Sequence, residues 1–271
     1  MTMDRIFRQP HEGGLLILPN AWDAGSARLI ESRGAKAIAT TSAGLAWSNG
    51  YPDGDALPIE RLVAAVGSIA RVIDVPLTAD IEGGYSDDPA AISGLVGQIL
   101  EAGAVGINIE DGSSPPDLLC AKIAAARQSA GRAGVGLFIN ARTDVYLRDL
   151  AADGDAVGEV GRRAGQYRAA GCDGIFVPGL SDESEIAAIA AAVRPLPLNV
   201  MLVPGLPGHE RLQALGARRL SGGSAIAQAA AALVGRLADD LLAGRGEALF
   251  AEAAGYGEIN AQFSPREGRS R

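Results

Sequence analysis

The sequence predicts a (β/α)8 TIM barrel, and three observations carry that reading. Short apolar runs, which read as buried strands, alternate with segments of helical periodicity along the 271-residue chain. One joint recurs four times, as Arg33-Gly-Ala-Lys-Ala-Ile38, Ala102-Gly-Ala-Val-Gly-Ile107, Ala170-Gly-Cys-Asp-Gly-Ile175 and Leu215-Gly-Ala-Arg-Arg-Leu220. Its glycine sits where a helix must end in the left-handed conformation, and a strand begins three or four residues later. Finally, charged residues gather at one end of the strands, where a barrel keeps its active site. The competing architecture is an open doubly wound sheet, but no Gly-x-Gly-x-x-Gly follows the first strand.

Strands are expected at Leu15–Pro19, Ala37–Thr41, Pro76–Glu82, Gly106–Asp111, Leu137–Arg142, Gly174–Pro178, Leu198–Val203 and Arg218–Gly222. The helices between them are expected at Ala24–Ser32, Pro58–Val72, Pro89–Ala102, Asp117–Ala130, Ala156–Ala170, Ser184–Val193 and Glu210–Leu215. A long Ala- and Leu-rich helix, about Ser224–Leu242, follows the last strand. The first strand runs into Pro19-Asn-Ala-Trp-Asp23 and the second into Thr41-Ser-Ala-Gly-Leu45. The third, fourth and fifth end in charge, and the sixth ends in Pro178-Gly. No linker divides the chain, so 1–271 reads as one domain with a helical extension over 243–263 and a loose tail over 264–271.

Composition narrows the function. The chain is 48% hydrophobic with only 4% aromatic residues, so aliphatic layers are expected in the core. A net charge of -8 argues against broad contact with nucleic acid or an anionic membrane. No apolar run approaches the ~20 residues that span a bilayer. The two cysteines, Cys120 and Cys172, form no disulfide framework, which with the absence of a signal-peptide pattern points to the cytoplasm. Cys172 fills an αβ joint and reads as a packing residue, while Cys120, in an expected helix with no histidine nearby, does not read as a catalytic thiol. The two histidines, His11 and His209, read as surface or capping residues.

Three segments carry the chemistry: Thr78-Ala-Asp-Ile-Glu-Gly-Gly-Tyr85, Gly106-Ile-Asn-Ile-Glu-Asp111 and Ile139-Asn-Ala-Arg-Thr-Asp144. Each is an apolar run that ends in charge, and buried charge needs partners. Asp80 and Glu82, two apart on a strand, should point to the same side. With Glu110 they gather negative charge that suits a divalent cation. Arg142 brings the planar fork that recognises a carboxylate or phosphate, and it also reads as a partner for Glu110. The Ser42-Ala-Gly-Leu45 turn could offer backbone N–H groups to an oxyanion, although taken alone it reads better as an ordinary turn. No Ser-His-Asp arrangement, P-loop or zinc spacing appears.

Together with Asn20-Ala-Trp-Asp-Ala-Gly-Ser-Ala-Arg28 and Asp173-Gly-Ile-Phe-Val-Pro-Gly179, these motifs resemble the isocitrate lyase and phosphoenolpyruvate mutase superfamily over nearly the whole chain. The resemblance implies a barrel whose last helix swaps between subunits, a homotetramer built as a dimer of dimers, and Mg²⁺ (or Mn²⁺) as cofactor. It implies Asp80 as direct metal ligand, with Glu82 and Glu110 completing the metal site and Asp53 as an outer acid. Arg142 would anchor the substrate, with Ser42, Ala43, Gly44, Leu45, Asp80 and Asn199 around it. Arg142, Glu110 and Asp53 would carry catalysis. One departure stands out. The lyases carry Lys-Lys-Cys-Gly-His on a loop after the fourth strand, and the mutases carry a loop with Lys and Asn. Here that loop is Asp111-Gly-Ser-Ser-Pro-Pro-Asp117, with none of these.

The expected function is therefore a Mg²⁺-dependent carbon–carbon lyase acting on a small 2-oxo or 2-hydroxy carboxylate through an enolate. Two alternatives stand beside it: phosphonopyruvate hydrolase or phosphoenolpyruvate mutase-type C–P chemistry, and a non-catalytic 2-oxo-acid-binding protein.

Overall fold

A computed structural model describes residues 1–151, 154–251 and 253–264. Its nine strands form one parallel sheet: β1 (Leu16–Leu18), β2 (Asn20–Ala21), β3 (Ile38–Thr40), β4 (Leu77–Asp80), β5 (Gly106–Glu110), β6 (Phe138–Arg142), β7 (Gly174–Val177), β8 (Leu198–Met201) and β9 (Ala217–Ser221). The order is β1-β9-β8-β7-β6-β5-β4-β3-β2. β1 pairs with β9 and β2 pairs with β3, so the two halves of the first apolar run join the ends of the sheet. Pro19 separates them. It has no N–H to give a ladder, but its carbonyl still accepts from Ala39 N–H at 3.1 Å. The eight expected strands thus become a (β/α)8-type barrel whose first strand is split.

The helices are α1 (Met3–Arg8), α2 (Pro10–Gly13), α3 (Ala24–Ser32), α4 (Ser42–Ser48), α5 (Ile59–Val72), α6 (Pro89–Glu101), α7 (Pro116–Ala133), α8 (Val145–Arg148), α9 (Ala156–Ala170), α10 (Glu183–Ala192), α11 (His209–Ala214), α12 (Ala225–Leu242) and α13 (Tyr256–Gln262). Local chemistry sets several of their starts. At α3 the Asp23 carboxylate accepts from Ser26 N–H at 2.6 Å, while Ser26 Oγ accepts from Asp23 N–H at 3.1 Å, a reciprocal capping box.

Alternation along each strand sorts the core. Ile107, Ile109, Ile139, Ala141, Ile175 and Val177 belong to the large cluster shared with the helices. A smaller cluster of Phe7, Leu16, Leu18, Ala37, Ala39 and Phe138 forms the barrel floor. Above it the barrel interior is polar, with Asn108, Asn140, Asn199 and Arg219 all at most 3% exposed, while the aliphatic core expected from composition lies in the large cluster shared with the helices. Composition counts residue types and cannot see that these four share one enclosed layer.

The N-terminus, for which no element is expected, folds into α1 and α2 beneath the floor. Phe7 is fully buried and meets Phe138 edge-on at 5.5 Å between ring centroids. Arg8 ties the segment down through Asp173 at 2.8 Å and the Leu137 carbonyl at 2.8 Å. His11 is therefore not a surface residue. It stacks on Phe138 at 4.4 Å, and its Nδ1 lies 2.9 Å from the Phe7 carbonyl, which requires Nδ1 to carry the proton. At the other end α12 buries only Ala227, and Val234 and Leu242 stand open. The expected extension over 243–263 contains a short 3-10 turn (Gly246–Phe250) and α13, whose Gln262 carbonyl accepts from Arg28 Nε at 2.9 Å. Of the expected tail, 265–271 lie outside the described residues.

His11 gives the fold a pH signature. Burial first, and the positive charge of Arg219 second, hold its pKa down to about 4. The unfolded imidazole takes a proton near 6.5, so the unfolded state binds more protons between pH 6.5 and 4, and stability falls as pH falls through that window. The loss approaches about 3 kcal/mol. Urea denaturation at pH 7 and pH 4.5 should show a smaller acid loss in His11→Asn than in the wild type. Identical losses would mean that the imidazole is not held neutral.

Candidate active site

The site begins with a register. Glu110 and Arg142 are direct partners at the carboxyl ends of β5 and β6, and Arg142 Nη1 meets Glu110 Oε2 at 2.5 Å. The other edge of the guanidinium is clasped by Asp144: Nε donates to Oδ1 at 2.7 Å and Nη2 to Oδ2 at 3.1 Å. Arg142 is thus fixed from two sides, as a planar fork allows. Asp144 is itself held. Its backbone N–H donates to Asp111 Oδ1 at 2.9 Å, and Asp111 Oδ2 accepts from Arg163 Nη1 at 2.8 Å and Tyr167 OH at 2.6 Å. Both acids are buried. A chain of charge-assisted bonds runs from α9 through Asp111 and Asp144 to Arg142.

Asp80 closes β4 and is buried, with its N–H donating to Thr40 Oγ1 at 2.8 Å. Burial pushes its carboxyl up to about 6, against the pull of Arg142. Burial likewise raises the Glu110 carboxyl, and Arg142 opposes that shift too. Arg142 is not the only cation here. Arg219 is 1% exposed, with Nε donating to Ser221 Oγ at 3.2 Å and Nη2 to Asn108 Oδ1 at 3.1 Å. Burial pulls its pKa down to about 9, and Asp80 is the acid that pulls it back.

Glu82 sits differently from the expected strand alternation. The strand stops at Asp80, and Glu82 has a left-handed φ of 52°. The Glu82 carboxylate accepts from Gly54 N–H at 2.9 Å, Asp55 N–H at 2.5 Å and Tyr85 OH at 2.8 Å. It therefore staples the 50–55 loop to the 82–85 loop. Its own N–H donates to Asp80 Oδ1 at 3.2 Å, which keeps the two acids together. Asp55 and Tyr85 are left-handed as well, so three non-glycine residues in strained backbone cluster at this one loop crossing. Lys122 buttresses it by donating to the Gly83 carbonyl at 2.8 Å.

Ser42–Leu45 is the first turn of α4, N-capped by Thr41, and not a free-standing turn. Thr41 already accepts the Gly44 N–H on Oγ1 at 3.4 Å and the Leu45 N–H on its carbonyl at 3.0 Å. Ala43, Gly44 and Leu45 are buried. Asn199 lies inside the barrel, where its Nδ2 donates to Ser221 Oγ at 3.0 Å. Asp53 is exposed, and its charge contributes to raising both Asp80 and Glu82. Asp111, Asp144, Arg148, Arg163 and Arg219 were given no role by sequence reasoning. Asp144 left a signal, an acid two residues beyond an arginine at a strand end. The others are visible only once distant segments meet.

Among the described residues, no three His, Cys, Asp or Glu side chains converge to hold a metal ion unaided. Mg²⁺ does not need such a cage, since it binds through one or two carboxylates and keeps several waters. Asp80 and Glu110, close enough for the charge of one to raise the other, are the carboxylates that could serve, and the Glu82 N–H holds the Asp80 carboxylate.

A parallel barrel with its buried charges at the carboxyl ends of the strands defines an enzyme site. The phosphoenolpyruvate phosphomutase family model matches residues 7–242, and the chain belongs to that family. The superfamily comprises carbon–carbon lyases and mutases. An uncharacterized Mycobacterium tuberculosis protein is 38% identical over 268 residues, covering 96% of each chain. Oxaloacetate decarboxylase of Ectopseudomonas mendocina is 32% identical over 189 residues, 65% of this chain and 62% of that one. A Burkholderia cenocepacia J2315 crystal structure, provisionally described as a phosphonomutase, superposes with a TM-score of 0.82 at 41% identity, covering 88% of this chain and 99% of that one.

The Asp111–Arg163 pair tests how the clamp is supported. Their side chains are 0% and 8% exposed, so removing the acid leaves a buried guanidinium short of a partner. Asp111→Ala should cost about 3–5 kcal/mol in urea denaturation. A loss within experimental error would show that Asp111 does not carry the clamp.

Proposed function

We propose that this chain is a Mg²⁺-dependent carbon–carbon lyase acting on a small 2-oxo or 2-hydroxy carboxylate through an enolate, with Mn²⁺ as a possible substitute. The observation that carries this reading is the Arg142 guanidinium, fixed between Glu110 and Asp144 beside the buried Asp80. Asp80 and Glu110 would hold the cation, with Glu82 steadying Asp80. A divalent cation bound there takes up negative charge as it develops on the substrate. Arg142 binds the substrate carboxylate through the N–H groups left over from its two acids, and it enters the reaction already oriented. Burial sharpens these interactions, because the fixed charges are largely shielded from water. Asp53, at the rim, would be an outer acid. The amides of Ser42 and Ala43, at the start of α4, would face the substrate, while Asn199 would act from below through Ser221.

The loop Asp111–Asp117 lacks an acid of the cysteine or histidine kind, and its Ser114 N–H donates back to the Asp111 carbonyl at 2.8 Å. Bond breaking that leaves an enolate to be protonated by water needs no such acid, and β-decarboxylation of a 2-oxo diacid is one reaction of this kind. Members of the superfamily are generally divalent-metal dependent. C–P chemistry on phosphonopyruvate is the second enzymatic reading, since the same clamp fits a phosphonate. A binder without turnover is the third.

Association is part of the proposal. α12 carries Leu233, Val234, Leu241 and Leu242 exposed, and an apolar cavity of about 580 Å³, lined by Leu15, Ile17, Pro19, Ile30 and Ile226, lies open over β1. A helix with this much bare apolar surface calls for a partner. We infer a homo-oligomer, a dimer of dimers, in which α12 crosses to the neighbouring barrel. The barrel acts on a small molecule and has no need of nucleic acid or membrane, which fits a cytoplasmic enzyme; no described helix is long and apolar enough to cross a bilayer.

Activity should appear as pyruvate formed from oxaloacetate above the spontaneous rate, with Mg²⁺ required and EDTA abolishing it. No acceleration with oxaloacetate or other 2-oxo and 2-hydroxy acids would refute the lyase reading. Release of phosphate from phosphonopyruvate would favour the C–P alternative instead. Asp80→Ala should lose Mg²⁺-dependent ligand binding in calorimetry. Arg142→Lys keeps the charge but loses the fork, and should weaken substrate binding by roughly 1.5–3 kcal/mol. Light scattering should give a multiple of the 27.6 kDa chain mass, and a mass near that of one chain would refute the assembly.

A further inference from the structure

The short α8 leads from β6 toward the mouth and ends at Arg148. Arg148 Nε donates to Asp144 Oδ2 at 3.1 Å, the same oxygen that accepts Arg142 Nη2 at 3.1 Å. The two guanidinium nitrogens therefore lie within twice that distance of each other, on either side of one buried carboxylate. Arg148 Nη1 reaches Ser113 Oγ at 3.2 Å, on the loop between β5 and α7. Arg148 thus spans the rim between two loops at the carboxyl ends of neighbouring strands.

Its charge is incompletely matched. Arg142 has Glu110 for itself and clasps Asp144 with two nitrogens. Arg148 has only a share of Asp144, through a single nitrogen. No other acid pairs with it, and no acceptor meets its Nη2 among the described residues. Arg148 is also open where Arg142 is not: its side chain is 49% exposed, against 19%. The result is an anchored guanidinium with a free edge, beside the clamp that would hold the first carboxylate.

We propose that Arg148 recognises a second carboxylate on the substrate, so that the site selects dicarboxylates over monocarboxylates; this rests on the reading of Arg142 as the carboxylate anchor. The spacing fits. With carbon–carbon bonds near 1.5 Å, the carboxyl carbons of a four-carbon diacid lie about 4 Å apart, and their oxygens reach further. Two guanidiniums flanking Asp144 offer charge at that scale. The Arg148 contact is made in the ground state and stays partly wet, so it sets affinity and selectivity more than the rate of bond breaking.

Racemic lactate and racemic malate test this, because they share the 2-hydroxy acid and differ by the second carboxylate. Calorimetry on the Mg²⁺-loaded protein should show malate binding about tenfold or more tighter than lactate, the size of a charge-assisted hydrogen bond in fold terms. Arg148→Met should erase that preference, with the loss falling on malate, and Arg148→Lys should keep part of it. A loss of lactate affinity as large as that for malate would mean that Arg148 merely supports Asp144, and would overturn the assignment. A malate preference that survives in Arg148→Met would overturn it too. Equal wild-type affinities would reject Arg148 while leaving the carboxylate site intact. Binding of neither acid with Mg²⁺ would reject the site reading and this proposal with it.

Discussion

A guanidinium in a low-dielectric site must be matched and oriented, and the upper half of this barrel is arranged around that requirement for Arg142. Glu110 supplies one counter-charge from the adjacent strand and Asp144 supplies the other from two residues along the chain. Glu110 is placed by its strand register, but Asp144 lies beyond the end of its strand. Asp144 depends on Asp111, which depends on Arg163 and Tyr167 of α9. An outer helix thereby fixes the direction in which a mouth residue points. This is the kind of support that a binding fork would need to stay oriented within the tolerance of catalysis.

A second constraint lies beneath. Arg219 is enclosed in the barrel with hydroxyl and amide partners but, among the described residues, no salt bridge, and the negative charge at Asp80 offsets the cost of its burial. The polar layer of Asn108, Asn140 and Asn199 belongs to the same arrangement, with Asn140 Nδ2 donating to Asn108 Oδ1 at 2.9 Å. The floor below is apolar and is closed by Phe7 from the N-terminal helix. Charge is thus graded along the barrel axis, from an apolar floor through a polar layer carrying one cation to the acids and Arg142 at the mouth. A site of net negative side chains over a fixed positive charge suits a ligand set of cation plus anion better than either alone.

Much of this was legible in the sequence. The alternation of apolar runs gives all eight strands, and α3 and α9 span the expected residues. Glu110 and Arg142 were readable as a pair because each ends a strand and neighbouring strands bring their ends together. Glu82 shows where strand logic stops. Alternation holds only while the residue is in the strand, and a left-handed φ at Glu82 sends its carboxylate to loop amides. His11 and α1 were missed because a six-residue helix has little signal of its own and forms only against the floor it covers. Asp111 and Arg163 were missed because 52 residues separate them and nothing local joins them.

The claim at the centre is that Asp80, Glu110 and Arg142 act together on one metal-bound carboxylate ligand. Its most direct measurement is a crystal structure with Mg²⁺ and oxalate, a planar mimic of an enolate carboxylate. The account predicts Mg²⁺ on Asp80 with water completing the shell, and one oxalate carboxylate within hydrogen-bonding distance of the Arg142 guanidinium. Oxalate bound away from Arg142, or Mg²⁺ bound without Asp80, would contradict it.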